Sequence, residues 1–444
     1  MQPKGEILIK SAKKRIHCVG IKGIGLSALA QFFAAAGARV TGSDIKEKFP
    51  ADAALKRSKI AINSFSPKNI RHNLDLAIYS SAYNRNNPEI KKAVELRIPL
   101  KSYGEALAEV FNAGENKIVV AGSHGKTTTT ALTGHLLSVA GFKPTVFLGG
   151  VSNNWQSNFK KGGNKWLVAE GDEYQKKFLF LKPDYLLITN IDFDHPDSFR
   201  NREEYRRAFK ELEKQTARKI LLGKKISPLF RKFLKTADFA LLGEKNRENA
   251  FLVYRLAKEL KIPDGKIKTA FKTFKGAKRR MEYKGTFNLK AKSYKLKAKI
   301  YDDYGHHPEE IKATLSALKE KYPDYKILAI FQPHTFSRTK ALLEEFGKCF
   351  KKADFVYLLS TFSSAREQKP KENVDKLLLK EVKKHHSQVK FYPGSLVLKH
   401  SNILQNVGMF LQSNNENKLV ILTMGAGDVY KIAEQLAAYP NKLF

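Results

Sequence analysis

Cysteine is nearly absent: Cys18 and Cys349 are the only two in 444 residues. That argues against a disulfide framework and for a reducing, cytoplasmic setting. Long apolar runs are missing too. No stretch approaches the ~18 residues that a membrane span needs. Residues 1–14 carry lysines without an apolar core, so neither a signal peptide nor a membrane span is expected. Acidic residues are scarce, with 43 Asp and Glu against 80 Lys and Arg, for a net charge of +37. Such an excess invites nucleic acid. The lysines are spread along the whole chain, however, and the clusters Lys13–Arg15, Arg231–Lys235 and Lys290–Lys299 are short, with no nucleic-acid module around them. A solvated, lysine-rich surface that favours anionic substrates is expected, and specific nucleic-acid binding is not. The length allows two to three domains, each with its own core.

The rest of the chain is organised around Lys117–Leu137, KIVVAGSHGKTTTTALTGHLL. Ile118–Ala121 reads as a buried strand. The turn Gly122, Ser123, His124, Gly125 follows, then Lys126, Thr127 and Thr128, and apolar residues continue at helical spacing. A strand, a glycine turn, Lys-Thr and a helix N-terminus together make a site for a nucleotide triphosphate. The turn amides wrap the phosphates, Lys126 neutralises them, and the Thr127 hydroxyl suits Mg²⁺. Val120 stands where the first glycine of the usual pattern belongs. A plain strand–helix turn explains the run of four threonines less well, because threonine is a poor helix former.

Upstream, IHCVGIKGIGLSALAQFFAAAGARVTGSD reads as strand Ile16–Val19, helix Ile24–Ala36 and strand Arg39–Thr41, with Gly20, Gly23 and Gly25 in the turn. This is the first βαβ unit of a doubly wound sheet. The spacing G-x-x-G-x-G differs from the dinucleotide fingerprint, so a phosphorylated nucleotide is expected without NAD being assured. A strand at Leu74–Ser81 and a helix at Asn87–Leu96 follow. Ligands of open α/β sheets sit beyond the carboxyl ends of strands. That rule selects Gly23, Gly25, Ser43, Asp44, Ser80 and Ser81.

The strands Trp166–Glu170 and Tyr185–Asn190 deliver Glu170, Asp172, Glu173, Asp192, Asp194, His195 and Asp197 to their ends. Carboxylates and an imidazole beside a triphosphate suit Mg²⁺ better than zinc, since no thiolate lies there. A capped turn before the helix Arg202–Gln215 is the plainer account of DFDHPD. In GEKNRENAFLVYRLAKEL, Asn246 and Asn249 stand at the helix start, as caps or as readers of a base edge. From Ala277 the order is a hairpin (Arg280–Phe287, Ala298–Asp302), a helix through Lys319, and strands Ile327–Phe331, Phe355–Ser360, Val389–Tyr392 and Leu419–Met424. Helices are expected between them at Ser337–Phe350, Val374–His385 and Ser395–Gln412. Asp303, His306, His307, His334, Arg338 and Gly425–Asp428 follow strand ends, which makes a substrate pocket there.

Taken together, VGIKGIGLSALA, GSHGKTTTT, EGDEY, ITNIDFDHPD, GEKNRENA, KRRMEY, DDYGHHPEEIKATL, FQPHTFSRT and TMGAGDVY resemble the Mur ligases, ATP-dependent amide-forming enzymes of peptidoglycan precursor synthesis. The resemblance covers nearly the whole chain. It implies an α/β protein of three domains: a Rossmann-like UDP-sugar domain (1–114), a central P-loop ATPase domain (115–276) and a Rossmann-like amino-acid domain (277–444). DDYGHHP and FQPHTFSRT resemble the branch that joins L-alanine to UDP-N-acetylmuramate through an acyl phosphate. The relative that ligates recycled murein tripeptide has Phe-Ala before the paired histidines and lacks the FQPH run. That ligase and a non-catalytic nucleotide-binding relative are the alternatives. The resemblance implies ATP and Mg²⁺, with Thr127, Glu170 and His195 as metal ligands and Lys126 on the transferring phosphoryl group. Asn246 and Asn249 would meet adenine and Asp303 the ribose, while Arg279 or Arg280 would reach the phosphates. The six strand-end residues of the first domain would hold UDP, and His307, His334 and Arg338 the alanine end. Three departures stand out. The stretch between DFDHPD and GEKNREN is short, which implies a central domain without a peripheral antiparallel sheet. Lys245 replaces a usual histidine, and Gln175 and Lys177 replace Asp and Ser.

Overall fold

The structure is a computed structural model that describes residues 12–47, 49–194, 198–291, 294–362, 367, 370–393 and 418–438. Among these, residues 12–194, 198–241 and 246–277 form one compact unit, and residues 242–245 and 278–438 a second.

The first unit holds two sheets. One is wholly parallel, in the order β3-β2-β1-β4-β5. Its strands are β1 (Arg15–Val19), β2 (Arg39–Ser43), β3 (Ala61–Asn63), β4 (Leu76–Tyr79) and β5 (Leu100–Ser102). The central β1 is apolar along most of its length, as a strand covered on both faces must be. The helix Ile24–Ala35 follows it and buries Leu26, Leu29, Phe32 and Phe33. The other sheet runs β11-β10-β6-β9-β7-β8. Its strands are β6 (Asn116–Ala121), β7 (Thr145–Ser152), β8 (Ser157–Lys160), β9 (Trp166–Glu170), β10 (Tyr185–Ile188) and β11 (Lys219–Leu222). Only β8 is antiparallel to its neighbour.

The two sheets are joined by a buried polar knot under an aromatic cluster. The Gln31 amide donates to Asn158 Oδ1 at 2.8 Å, Ser157 Oγ donates to Gln31 Oε1 at 2.9 Å, and Asn158 Nδ2 donates to Ser27 Oγ at 2.8 Å. Beside it, the Phe32 ring packs on Phe147 and Phe159, with centroids 5.6 and 6.2 Å away. Each satisfied bond contributes about 1 kcal/mol, and an orphaned partner would cost about 1–3 kcal/mol.

The second unit has a six-stranded sheet in the order β12-β13-β17-β14-β15-β16. Its strands are β12 (Glu282–Ala291), β13 (Tyr294–Asp303), β14 (Lys326–Phe331), β15 (Phe355–Leu359), β16 (Val389–Tyr392) and β17 (Lys418–Met424). β12 and β13 form the expected antiparallel hairpin, and every other pairing is parallel. The ends of β13, β17 and β14 are therefore adjacent at one edge. That arrangement gathers Asp303, Gly425 and Gln332 there.

Several elements differ from expectation. The helix expected over Ser337–Phe350 is two helices, Phe336–Ala341 and Leu343–Lys348, broken where Leu342 leaves the helical region (φ −117°, ψ 28°). The lysine-rich stretch after β11 contains the helix Pro228–Ala237, capped by Ser227 and buried through Phe230, Leu234 and Ala237. The helix expected at Ser395–Gln412 lies outside the described residues. Among the described residues no helix is long and apolar enough to cross a membrane.

Candidate active site

The phosphate loop lies between β6 and the helix Lys126–Val139. Gly122 and Gly125 adopt φ of +135° and +82°, which L side chains rarely take. A Cβ on Gly122 would come within 2.1 Å of Thr189 Oγ1, and one on Gly125 within 2.7 Å of the Asn249 side chain. No side chain caps this helix, so its first amides point into the loop. Asn190 shapes the turn from the end of β10. Its Oδ1 accepts from His124 N, and its Nδ2 donates to His124 O, both at 3.0 Å. Ser123 is turned inward, its hydroxyl donating to Asp192 O and pairing with the Tyr205 hydroxyl.

Lys126 Nζ donates to Gly122 O (2.5 Å), Ser123 O (3.0 Å) and Glu173 Oε1 (2.8 Å). Burial pulls this ammonium down, but Glu173, Glu170 and Asp194 outweigh it and hold its pKa above the usual lysine value. The cation is thus fixed at the loop in its charged form. Thr127 Oγ1 donates to Glu170 Oε1 at 3.0 Å, and Gly149 N donates to Glu170 Oε2 at 2.8 Å. Thr128 is buried in the first turn. Lys177 Nζ donates to Asp172 Oδ2 at 2.6 Å, so one departure from the family pattern neutralises a carboxylate of this cluster. Among the described residues no group of three or more His, Cys, Asp or Glu could hold a metal ion. A hydroxyl and a carboxylate still suit Mg²⁺, which commonly takes one or two protein oxygens with phosphate and water. His195, expected as a third ligand and as a catalytic residue, lies outside the described residues. Asn249 is buried against Gly125 one turn into the helix Glu244–Glu259, and Asn246 lies in its first turn.

The glycine loop after β1 is pinned through Ser43, whose carbonyl accepts from Gly20 N (2.8 Å) and Ile21 N (3.1 Å). Ser43 is fully buried and its hydroxyl donates to Glu89. Glu89 also accepts from Ser66 N (2.9 Å) and Asn69 Nδ2 (2.6 Å), with His17 Nε2 at 3.4 Å. Burial pushes the Glu89 carboxyl up, but His17, Ser43, Ser66 and Asn69 together hold it below the usual range. Asp44 accepts from Lys22 N (2.7 Å), Ile45 N (2.8 Å) and the Tyr83 hydroxyl (3.2 Å). Ser80 backs the turn, its Oγ 3.4 Å from where a Gly23 Cβ would stand, and Ser81 follows it beyond the end of β4. Gly25 lies under Tyr103, whose ring would be 2.5 Å from a Cβ there.

In the second unit both arginines that the sequence left open are engaged within the unit itself. Arg279 Nε donates to the buried Asp302 (3.1 Å), and the guanidinium lies over the rings of Tyr304 and Tyr430. Arg280 pairs with Glu310 at 3.6 Å and also lies over the Tyr304 ring, 5.0 Å from its centroid. Asp303 accepts from Met281 N (2.7 Å) and Gly305 N (2.6 Å). His307 caps the helix Pro308–Lys321 in a box with Glu310. Arg338 Nη1 lies 3.2 Å from His334 Nδ1, and the His334 ring stacks on Phe362. Sequence reasoning missed Tyr103, Asn190, Glu89 and Gln31. Asn190 was within reach as a polar residue at a strand end, whereas the partners of the others are remote in the chain.

Three family models match the chain: "Mur ligase family, catalytic domain" over residues 15–114, "Mur ligase middle domain" over 120–290, and "Mur ligase, glutamate ligase domain" over 279–427. A UDP-N-acetylmuramate–L-alanine ligase of Desulfitobacterium hafniense is 35% identical, over 95% of this chain and 99% of its own length. Among solved structures, the UDP-N-acetylmuramate-alanine ligase of Thermotoga maritima superposes with a TM-score of 0.75 at 26% identity, covering 95% of this chain and 98% of its own. A murein peptide ligase of Psychrobacter arcticus shares the fold, with a TM-score of 0.67 at 20% identity over 95% of this chain and 98% of its own. With matched family segments, a close full-length relative and a phosphate loop built as described, the chain belongs to the Mur ligase family.

Proposed function

We propose that this chain is an ATP-dependent ligase that joins L-alanine to the carboxylate of UDP-N-acetylmuramate in peptidoglycan precursor synthesis. The observation that carries the reading is that a glycine loop at Gly20–Gly25 and a phosphate loop with a fixed Lys126 cation occupy one compact unit. The likeness to L-alanine ligases over nearly the whole chain chooses the substrates.

A free carboxylate is a poor electrophile, so amide formation needs activation. The muramoyl carboxylate attacks the γ-phosphorus of ATP, the bond to the β–γ bridging oxygen breaks, and ADP leaves. The alanine amine then attacks the acyl phosphate, and inorganic phosphate departs from the tetrahedral intermediate as the amine sheds a proton. Lys126 stabilises the negative charge on the transferring group, held by carbonyls and Glu173 so that little reorganisation is needed. The loop amides bind the phosphates, and Asn249 with Asn246 faces the adenine. Thr127, Glu170 and His195 would hold Mg²⁺, which supplies charge neutralisation at the phosphates. In the second unit, His334 and Arg338 receive the amino acid's carboxylate beside His307.

The test is phosphate release with ATP, Mg²⁺ and UDP-N-acetylmuramate, with and without L-alanine, glycine or L-serine, and with murein tripeptide and free muramate as controls. Release should require the UDP-sugar and run fastest with L-alanine. Release that instead follows murein tripeptide, or ATP binding without any turnover, would overturn the reading.

A further inference from the structure

One side chain between the two loops of the first unit carries a hydroxyl that the fold does not use. Tyr103 opens the helix Tyr103–Asn112, where Ser102 and Glu105 form the capping box. Its ring lies over Gly25, with Cζ and the hydroxyl 2.5 and 2.6 Å from the position a Cβ would take. Asp172 and Glu170 are near enough for their charges to act on the phenol. The next residue, Gly104, packs on Phe180, and Lys177 Cγ lies 3.7 Å from its Cβ position. Tyr103 thus packs on Gly25 of the glycine loop, while its neighbour Gly104 lies beside Lys177, the counter-ion of Asp172. Glu170, whose charge also acts on the phenol, accepts from Thr127 at the phosphate loop. Tyr103 itself is only half-buried. Among the described residues its hydroxyl has no hydrogen-bond partner, although the ring is packed.

We propose that Tyr103 is a substrate-binding residue whose hydroxyl donates to the sugar side of the nucleotide-sugar as that molecule runs from the glycine loop to the phosphate loop. The inference rests on the proposed function, since a substrate anchored by its diphosphate at Gly20–Gly25 must bring its carboxylate to the nucleotide at Lys126. In this proposal the sugar passes over Tyr103, which packs on Gly25 at the edge of the glycine loop. A phenol is protonated at neutral pH and donates without adding charge. That suits surroundings where Asp172 and Glu173 are already held by Lys177 and Lys126 at 2.6 and 2.8 Å. The sugar's oxygens and its carboxylate are acceptors.

Tyr103→Phe separates the two parts of the side chain: the ring stays over Gly25 and only the hydroxyl goes. In the full-length enzyme the KM for UDP-N-acetylmuramate should rise about tenfold, the loss of one bond to a charged or strongly polar acceptor. The kcat, the KM for ATP, the affinity for UDP alone and the thermal midpoint should not move. Tyr103→Ala should add a lower thermal midpoint, because the ring packing is lost too. An unchanged KM for the UDP-sugar overturns the proposal. So does a parallel rise in the KM for ATP, which would make the residue a support for the carboxylates, or an equal loss of UDP affinity. Calorimetric binding of UDP-N-acetylmuramate keeps the two readings apart. Binding that Tyr103→Phe weakens, in a wild type that does not turn over, sinks the ligase reading and leaves Tyr103 standing. A wild type that does not bind this molecule overturns both.

Discussion

Asp303 offers a perturbation whose size follows from its surroundings. Burial, reinforced by Glu310, pushes its carboxyl from 3.8 up to about 6, although Arg280 and the amides of Gly305 and Met281 pull the other way. Below pH 3.8 the folded and unfolded chains both hold the proton, so the group is neutral for stability. As pH rises from 3.8 to about 6 the unfolded chain ionises first, and folding loses ground. Above that window the penalty is complete, about 3 kcal/mol at roughly 1.4 kcal/mol per pH unit. Asp303→Asn abolishes the titration. It also leaves one of the two amides without an acceptor, an offset of about 1–3 kcal/mol that varies little with pH. The variant should therefore gain about 3 kcal/mol relative to wild type between pH 4 and 7. The two proteins should lie close together at neutrality. Urea titrations followed by circular dichroism would measure this. Trp155 and Trp166 both lie in the first unit, so their fluorescence marks its transition, and the dichroism reports the second as well. A stability difference that stays flat with pH would refute the argument, because it would mean that Asp303 ionises alike in both states.

Three further outcomes are expected. Lys126→Ala should lower phosphate release by about 10²–10³-fold or more and leave calorimetric affinity for the UDP-sugar intact; turnover at the wild-type rate would remove Lys126 from the phosphoryl site. Glu89→Ala should lower stability by about 3–5 kcal/mol and weaken UDP-sugar binding, with Glu89→Gln milder. Its depressed pKa also means that the stability it contributes is present above the ordinary carboxylate range and lost in acid, so a thermal midpoint indifferent to Glu89 would count against the network. Gly125→Ala, at φ +82° and against Asn249, should cost about 1–2 kcal/mol of backbone strain and reduce nucleotide affinity in a fluorescence titration. Unaltered affinity would show that the turn tolerates a side chain.

The phosphate loop was legible because its chemistry is local. Gly122, Gly125, Lys126 and Thr127 lie within six residues, and the apolar run of β6 marks the strand before them. The edge of the second unit's sheet was legible for the related reason that polar residues follow apolar strands. Elements with weaker signals were missed. β7 contains Gly149 and Gly150, and β8 is a four-residue strand, SNFK, with a single large apolar side chain. In the helix Pro228–Ala237, Phe230, Phe233, Leu234 and Ala237 fall at helical spacing, but Arg231, Lys232 and Lys235 on the opposite face make the stretch read as a basic cluster. The partner of Ser43 was out of reach for a different reason. Its position at a strand end points to a ligand, but the residue that claims its hydroxyl, Glu89, lies 46 positions away. The partners of Arg279 and Arg280 were equally out of reach, since Asp302 and Glu310 stand 23 and 30 positions away.

The knot of Gln31, Asn158, Ser27 and Ser157 has a consequence for how such chains can diversify. Each of its four side chains completes the hydrogen bonding of another across the joint between the first two sheets. A recombinant that borrows the first sheet and its helix from a distant relative would strand Asn158 and Ser157 with unpaired amide and hydroxyl groups. Crossovers between the two halves of the first unit should therefore cost stability unless both faces travel together. The part of the second unit that follows Ala277, from Lys278 on, carries no such obligation at this knot. Exchange there leaves both nucleotide loops and their spacing untouched, which makes it the natural breakpoint for chimeras that seek a new amino-acid preference.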